Sequence, residues 1–129
     1  MRISLITPAP AGSRKGNRVT AQRWSKILRG LGHRVDVAQE YAGKRCDLMV
    51  ALHARRSHAS IVRFQEDHPD LPVVVALTGT DLYGDIHTDS DTQRSLDLAS
   101  RLVMLQPEGL SELPKRHRQK ARVIYQAFT

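Results

Sequence analysis

Val73-Val74-Val75-Ala76-Leu77 runs five residues without a charge or a polar side chain, between Pro72 and the turn residues Thr78-Gly79. A strand with one wet face alternates apolar and polar residues. An unbroken apolar run of strand length, bounded by turn residues, reads instead as a strand covered on both faces, as in a parallel sheet. Working outward, Asp47-Leu48-Met49-Val50-Ala51-Leu52 and Leu102-Val103-Met104-Leu105 read the same way. Ile3-Ser4-Leu5-Ile6-Thr7, Arg34-Val35-Asp36-Val37-Ala38 and Arg122-Val123-Ile124-Tyr125 complete six short β-type runs.

Helical patterns separate most of these runs. Residues 17–31 carry Thr20, Trp24, Ile27, Leu28 and Leu31 at helical spacing, with Gly30 and Gly32 marking the end. Residues 55–67 form a second helix with Ala59, Val62 and Phe64 turned inward, closed by Pro69. A third spans 88–99, capped by Asp89 or Ser90, and a short one covers 107–113. Strands alternating with helices predict an α/β fold: a Rossmann-like three-layer sandwich with a mostly parallel sheet of about six strands. One link departs from the pattern. About nine residues join the second and third strands, too few for a crossover helix, so an irregular turn or a single helical turn is expected over 39–44.

The 129 residues suit one domain, and 40% hydrophobic with 26% charged residues suits a globule rather than a disordered chain. No apolar run approaches bilayer length and no secretory signal is visible at the N-terminus, so a cytoplasmic protein is expected. Cys46 is the single cysteine, which excludes an internal disulfide and a multi-cysteine metal site. A net charge of +7 favours anionic partners. The few aromatics do not coincide with the basic clusters, so a stacking platform for nucleic acid is not supported.

In an open parallel sheet ligands bind beyond the carboxyl ends of the strands. That rule gathers residues 8–17, His53-Ala54-Arg55-Arg56, Thr78-Gly79-Thr80-Asp81 and Gln106-Pro107 on one edge. The opposite edge collects residues 30–33, 68–70 and 115–120. In the first loop Gly12 and Gly16 permit tight turns, and Gly16-Asn17 offers unpaired N–H groups at a helix start. Arg14, Lys15 and Arg18 add positive potential, so the loop suits a phosphate, or else is a surface loop rich in turn residues. It matches neither a Walker A nor a Gly-x-Gly-x-x-Gly pattern. His53 could orient a hydroxyl or phosphate and Arg55 could grip an anion; the alternative is a hydrogen-bonded structural histidine beside solvated arginines. Gly79 allows close ligand approach, and Thr78, Thr80 and Asp81 can meet hydroxyl groups or merely stabilise the turn. His58 and His68 read as surface residues, and Lys115-Arg116-His117-Arg118-Gln119-Lys120 as a solvated basic face. No His, Cys or Asp cluster has metal-ligand spacing.

Four stretches together resemble the N-terminal half of a family-4 retaining glycosyltransferase of the two-domain GT-B type. They are residues 6–21 (Ile-Thr-Pro-Ala-Pro-Ala-Gly-Ser-Arg-Lys-Gly-Asn-Arg-Val-Thr-Ala), Ala51-Leu52-His53-Ala54-Arg55-Arg56-Ser57, Leu77-Thr78-Gly79-Thr80-Asp81-Leu82-Tyr83 and Val123-Ile124-Tyr125-Gln126. The first loop is similar, more narrowly, to the selenosugar synthases of selenoneine biosynthesis, which join a UDP-sugar, typically UDP-N-acetylglucosamine, to selenophosphate. The resemblance implies an acceptor-side domain over residues 1–129, with the C-terminal donor-binding domain absent. It implies that the Gly16-Asn17 turn faces the donor diphosphate or acceptor, that Arg14, Lys15 and Arg18 attract a doubly anionic acceptor, and that His53, Arg55, Thr80 and Asp81 line the acceptor side. It implies no metal or other cofactor beyond the nucleotide-sugar substrate, leaves the catalytic groups unassigned, and implies that this domain alone transfers no sugar. Two other readings stay open: a self-sufficient nucleotide- or phosphate-binding Rossmann module, and a basic nucleic-acid-binding domain built on residues 115–122.

Overall fold

Six strands form one sheet: β1 (Arg2–Ile6), β2 (Arg34–Ala38), β3 (Leu48–Leu52), β4 (Val73–Leu77), β5 (Arg101–Met104) and β6 (Ala121–Val123). Their spatial order is β2-β1-β3-β4-β5-β6, and every neighbouring pair is parallel. This computed structural model describes residues 1–8, 16–77, 86–104 and 112–124. The helices are α1 (Gly16–Gly30), α2 (His58–Asp67), the single turn α3 (Ile86–Thr88), α4 (Ser90–Leu98) and α5 (Lys115–Arg118). The expected helix over 107–113 falls mostly outside the described residues.

Successive strand side chains point to opposite faces, which splits the core in two. On one face Ile3, Leu5, Val50, Leu52 and Ala76 pack with Ala21, Trp24 and Leu28 of α1. On the other Met49, Val75, Leu77 and Met104 pack with Ile61 and Phe64 of α2 and Leu96 of α4. Helix, sheet and helix make the three layers of a Rossmann-like sandwich, with the strand order of the doubly wound 2-1-3-4-5 type extended by a sixth strand.

The link between β2 and β3 contains no helix, as its length requires. Tyr41 anchors it and is only 3% exposed. Its N–H donates to Ser60 Oγ (2.9 Å), its hydroxyl donates to Asp67 Oδ2 (3.0 Å), and its ring meets Phe64 edge-on at 5.4 Å. Burial and the Asp67 carboxylate push the phenol above its ordinary range.

Three expectations need correction. In α1, Thr20, Ala21 and Ser25 are buried, whereas Ile27 is 55% and Leu31 70% exposed. Small Ala21 and Ser25 lie one turn apart, so α1 meets the sheet most closely on that stripe, with Trp24 and Leu28 packed partly beside it and Ile27 and Leu31 turned aside. Gly32, at φ 95°, then stops the helix: its N–H reaches Arg29 O and that of His33 reaches Leu28 O, a Schellman closure. In α2, which begins at His58 because residues 54–57 form a turn, Ser60, Ile61 and Phe64 face inward while Ala59 is exposed and Val62 half-buried. Ser60 goes inside because the Tyr41 N–H needs an acceptor there, a partner that periodicity does not count.

The third correction concerns the basic run at 115–120, which is partly structural. Lys120 Nζ donates to the carbonyls of Leu96 and Ala99, satisfying acceptors that α4 leaves open at its C-terminus. His117 is 3% exposed, and its Nε2 stands 3.2 Å from Asp97 Oδ1 without hydrogen-bond alignment. Burial first, then the charges of Lys120 and Arg116, hold its pKa below the ordinary histidine range, while Asp97 pulls the other way. In the unfolded chain the ring takes a proton as pH falls through about 6.5, and the folded chain resists that proton. Stability is therefore expected to fall on acidification below about pH 6.5, by at most about 1.4 kcal/mol per pH unit for this one group. Urea midpoints measured from pH 7.5 to 5.5 are expected to show a shallower loss in His117→Gln than in the wild type; parallel profiles would refute this.

Candidate functional site

The strand order reverses at β1, whose neighbours β2 and β3 lie on opposite sides. The crevice of a doubly wound sheet opens beyond the carboxyl ends of the two strands at this switch point. Ile6 pairs with Ala51, so Thr7-Pro8 and Leu52-His53 leave the sheet side by side. The chain from β1 leads to Gly16 and Asn17, which open α1, followed by Arg18 in its first turn. Of the residues expected at this edge, Gly12, Arg14, Lys15, Thr78, Gly79, Thr80 and Asp81 lie outside the described residues.

Among the described residues of the crevice, His53 is held in an unusual backbone conformation. It is 4% exposed and adopts φ 74°, the left-handed region that costs a residue with a Cβ about 1–2 kcal/mol. Hydrogen bonds among the described residues hold it there. Its N–H donates to Ala76 O (2.9 Å), its carbonyl accepts the Ser57 N–H (3.0 Å), and Nδ1 accepts the Arg56 N–H (3.1 Å). With Nδ1 occupied as an acceptor, the proton of the neutral ring sits on Nε2. His53 is thus both the structural histidine of the plain reading and, chemically, a hydrogen-bond donor rather than a base.

Arg18 is half-buried, and its Nε is shut off from solvent with no hydrogen-bond partner among the described residues. A guanidinium N–H in that state near the start of a 15-residue helix is suited to an anion, because the helix dipole and the cation act with the same sign. Arg55 is exposed, three residues before α2. It contributes to holding the Asp89 carboxyl below its ordinary range, after the hydrogen bonds from the Thr92 N–H and hydroxyl. Asp89 is accordingly the N-cap of α4, as its position in the sequence suggests.

No family model and no curated protein matches the chain. Function therefore has to be argued from the arrangement of side chains.

One arrangement imitates a catalytic triad. His58 was expected at the surface, yet its side chain is 18% exposed and sits between α2 and α4. Its Nδ1 lies 2.8 Å from Ser95 Oγ, and its Nε2 lies 3.6 Å from Asp91 Oδ1. Ser95 is fully buried, and its hydroxyl donates to Ala54 O at 2.8 Å. The serine proton is committed to a carbonyl, so His58 Nδ1–H must donate to Ser95 rather than deprotonate it. The group ties α4 to the turn after β3 and offers no nucleophile.

Cys46 is buried, and that burial, with Asp47 and Asp36 nearby, raises its thiol pKa, the opposite of an activated cysteine. Among the described residues no group of three His, Cys, Asp or Glu side chains could hold a metal ion, and no helix is long and apolar enough to cross a membrane.

Proposed function

We propose that the chain is the acceptor-side domain of a two-domain retaining glycosyltransferase, which transfers a hexosyl group from a UDP-sugar such as UDP-N-acetylglucosamine to a small dianion such as selenophosphate. The reading is supported by the α1 N-terminus that follows β1 at the switch point, by the Arg18 Nε, which has no partner among the described residues, and by His53 at the end of the adjacent β3. In this reaction the anomeric carbon gains a bond to selenium and loses its bond to the diphosphate oxygen, which departs with the electron pair. Arg18 would hold acceptor oxygens on the face from which the diphosphate leaves, supplying orientation and charge rather than proton transfer, with His53 fixing the turn beside it. The donor nucleotide would sit on a second βα domain.

Of the two competing readings, the nucleic-acid one loses support where His117 is buried and Lys120 is spent on α4. The test is a titration of inorganic phosphate into the ¹⁵N-labelled chain. Amide shifts at Gly16, Arg18 and His53 are expected to saturate in the millimolar range, about 4 kcal/mol of binding, with Arg18→Ala weakening it about fivefold. UDP-N-acetylglucosamine is expected to bind little and to release no UDP with this chain and selenophosphate. Micromolar nucleotide binding would establish the self-sufficient module, turnover would refute the half-enzyme, and absence of phosphate shifts would remove the site.

A further inference from the structure

A parallel sheet is stable with both faces covered, yet one face here is covered on one side only. α1 packs over β2 and β1 and, among the described residues, is the only helix contributing to that face's core. Neighbouring strands lie about 4.8 Å apart and a helix is about 10 Å wide, so β3 to β6 leave room beside α1 for one more helix. That space is an apolar groove of about 290 Å³. Val74 and Val103 form its floor, Trp24 and Ile27 of α1 one wall, and Ile124 the other side. Val74 belongs to a central strand and is only half-buried, while Ile27 is 55% and Ile124 48% exposed.

Among the described elements that form the groove, the charges have a single sign. In register, Arg101 pairs with Val74 and Arg122 with Val103, so both arginines rise from the same face as the floor. α1 adds Arg23 and Lys26, while its Arg29 turns the other way to the Val35 carbonyl of β2 (2.7 Å), and neither α1 nor β4, β5 or β6 contains an acidic residue. A second copy would bring the same cations against these and be repelled. A concave trough also suits a cylinder better than a flat bilayer surface. We infer that the groove seats an amphipathic helix of a partner protein, with an apolar stripe at i, i+3, i+4 and i+7 and flanks rich in Asp and Glu.

Trp24, the single tryptophan, lies in the groove wall and reports occupancy directly. The probes are a panel of 18-residue amphipathic helices with leucine stripes of differing register, each made with glutamate flanks and with lysine flanks. Glutamate-flanked members are expected to shift Trp24 emission to the blue with micromolar affinity, and their lysine counterparts to bind at least about tenfold more weakly. Ile124→Asp and Arg122→Glu are each expected to weaken the acidic peptides about tenfold. Lys44→Gln, which lowers the net charge by the same single unit beside β2 at the far edge of the sheet, is expected to leave binding unchanged; Lys44 and Ile124 are both exposed, so neither change threatens folding. Equal binding of both flank types, or no binding by any member, would overturn the inference. So would concentration-dependent dimerisation abolished by Ile124→Asp, which would assign the groove to a second copy. Trp24 shifts produced by phosphatidylglycerol vesicles but by no peptide would assign it to a membrane.

Discussion

Phe64→Ala is expected to lower stability by about 3–5 kcal/mol, the range for emptying a fully buried aromatic site. Phe64 has no exposed surface and stands edge-on to Tyr41 and tilted against His68, each with centroids 5.4 Å away. Removing the ring leaves a cavity between α2 and the sheet. It also frees one side of Tyr41, the residue that fixes the helix-free link between β2 and β3. A chain of this length is expected to lose more than about 10 °C in Tm. Thermal unfolding followed by circular dichroism measures this, and a loss below about 1 kcal/mol would mean that the site relaxes closed.

His53→Val is expected to cost about 2–4 kcal/mol although it removes no large core side chain. A β-branched residue is strained at φ 74°, and the Arg56 N–H loses its acceptor in a buried turn. His53→Asn is the informative contrast. Asparagine tolerates the left-handed region, and its Oδ1 can take over from Nδ1, so its stability is expected within about 1 kcal/mol of the wild type. If valine were tolerated as well as asparagine in urea unfolding, the backbone constraint would not exist. Because asparagine preserves the turn while altering what faces the crevice, it also separates the structural part of His53 from any role towards a ligand.

The fold was legible because an uncharged run such as Val73-Leu77 has few alternatives, and the sheet places it in the interior as expected. The nine-residue link was equally decisive, since chain length alone forbids a crossover helix there. Helix faces were less legible. Hydrophobic periodicity put Ile27, Leu31 and Ala59 inside, but contact is set by which residues allow close approach or meet a polar partner. Ala21, Ser25 and Ser60 serve those ends without being strongly apolar. The basic run misled for a related reason: a lysine that caps another helix looks in sequence like any surface lysine. At the candidate site, sequence marked His53 and Arg18 by position. The left-handed turn and the proton location on the ring arise from hydrogen bonds with Ala76 and Arg56, which no local pattern encodes.

The interior position of β1 has a kinetic consequence. Its Ile3 pairs with Val35 on one side and Leu48 on the other, so no hairpin can nucleate the sheet. On a translating ribosome β1 must wait for more than thirty residues before meeting either neighbour, and large loops must close before any of its ladder bonds form. Refolding on the slower side for a chain of this size is the expected cost, along with an interval in which the apolar first strand is available to chaperones or to other nascent chains.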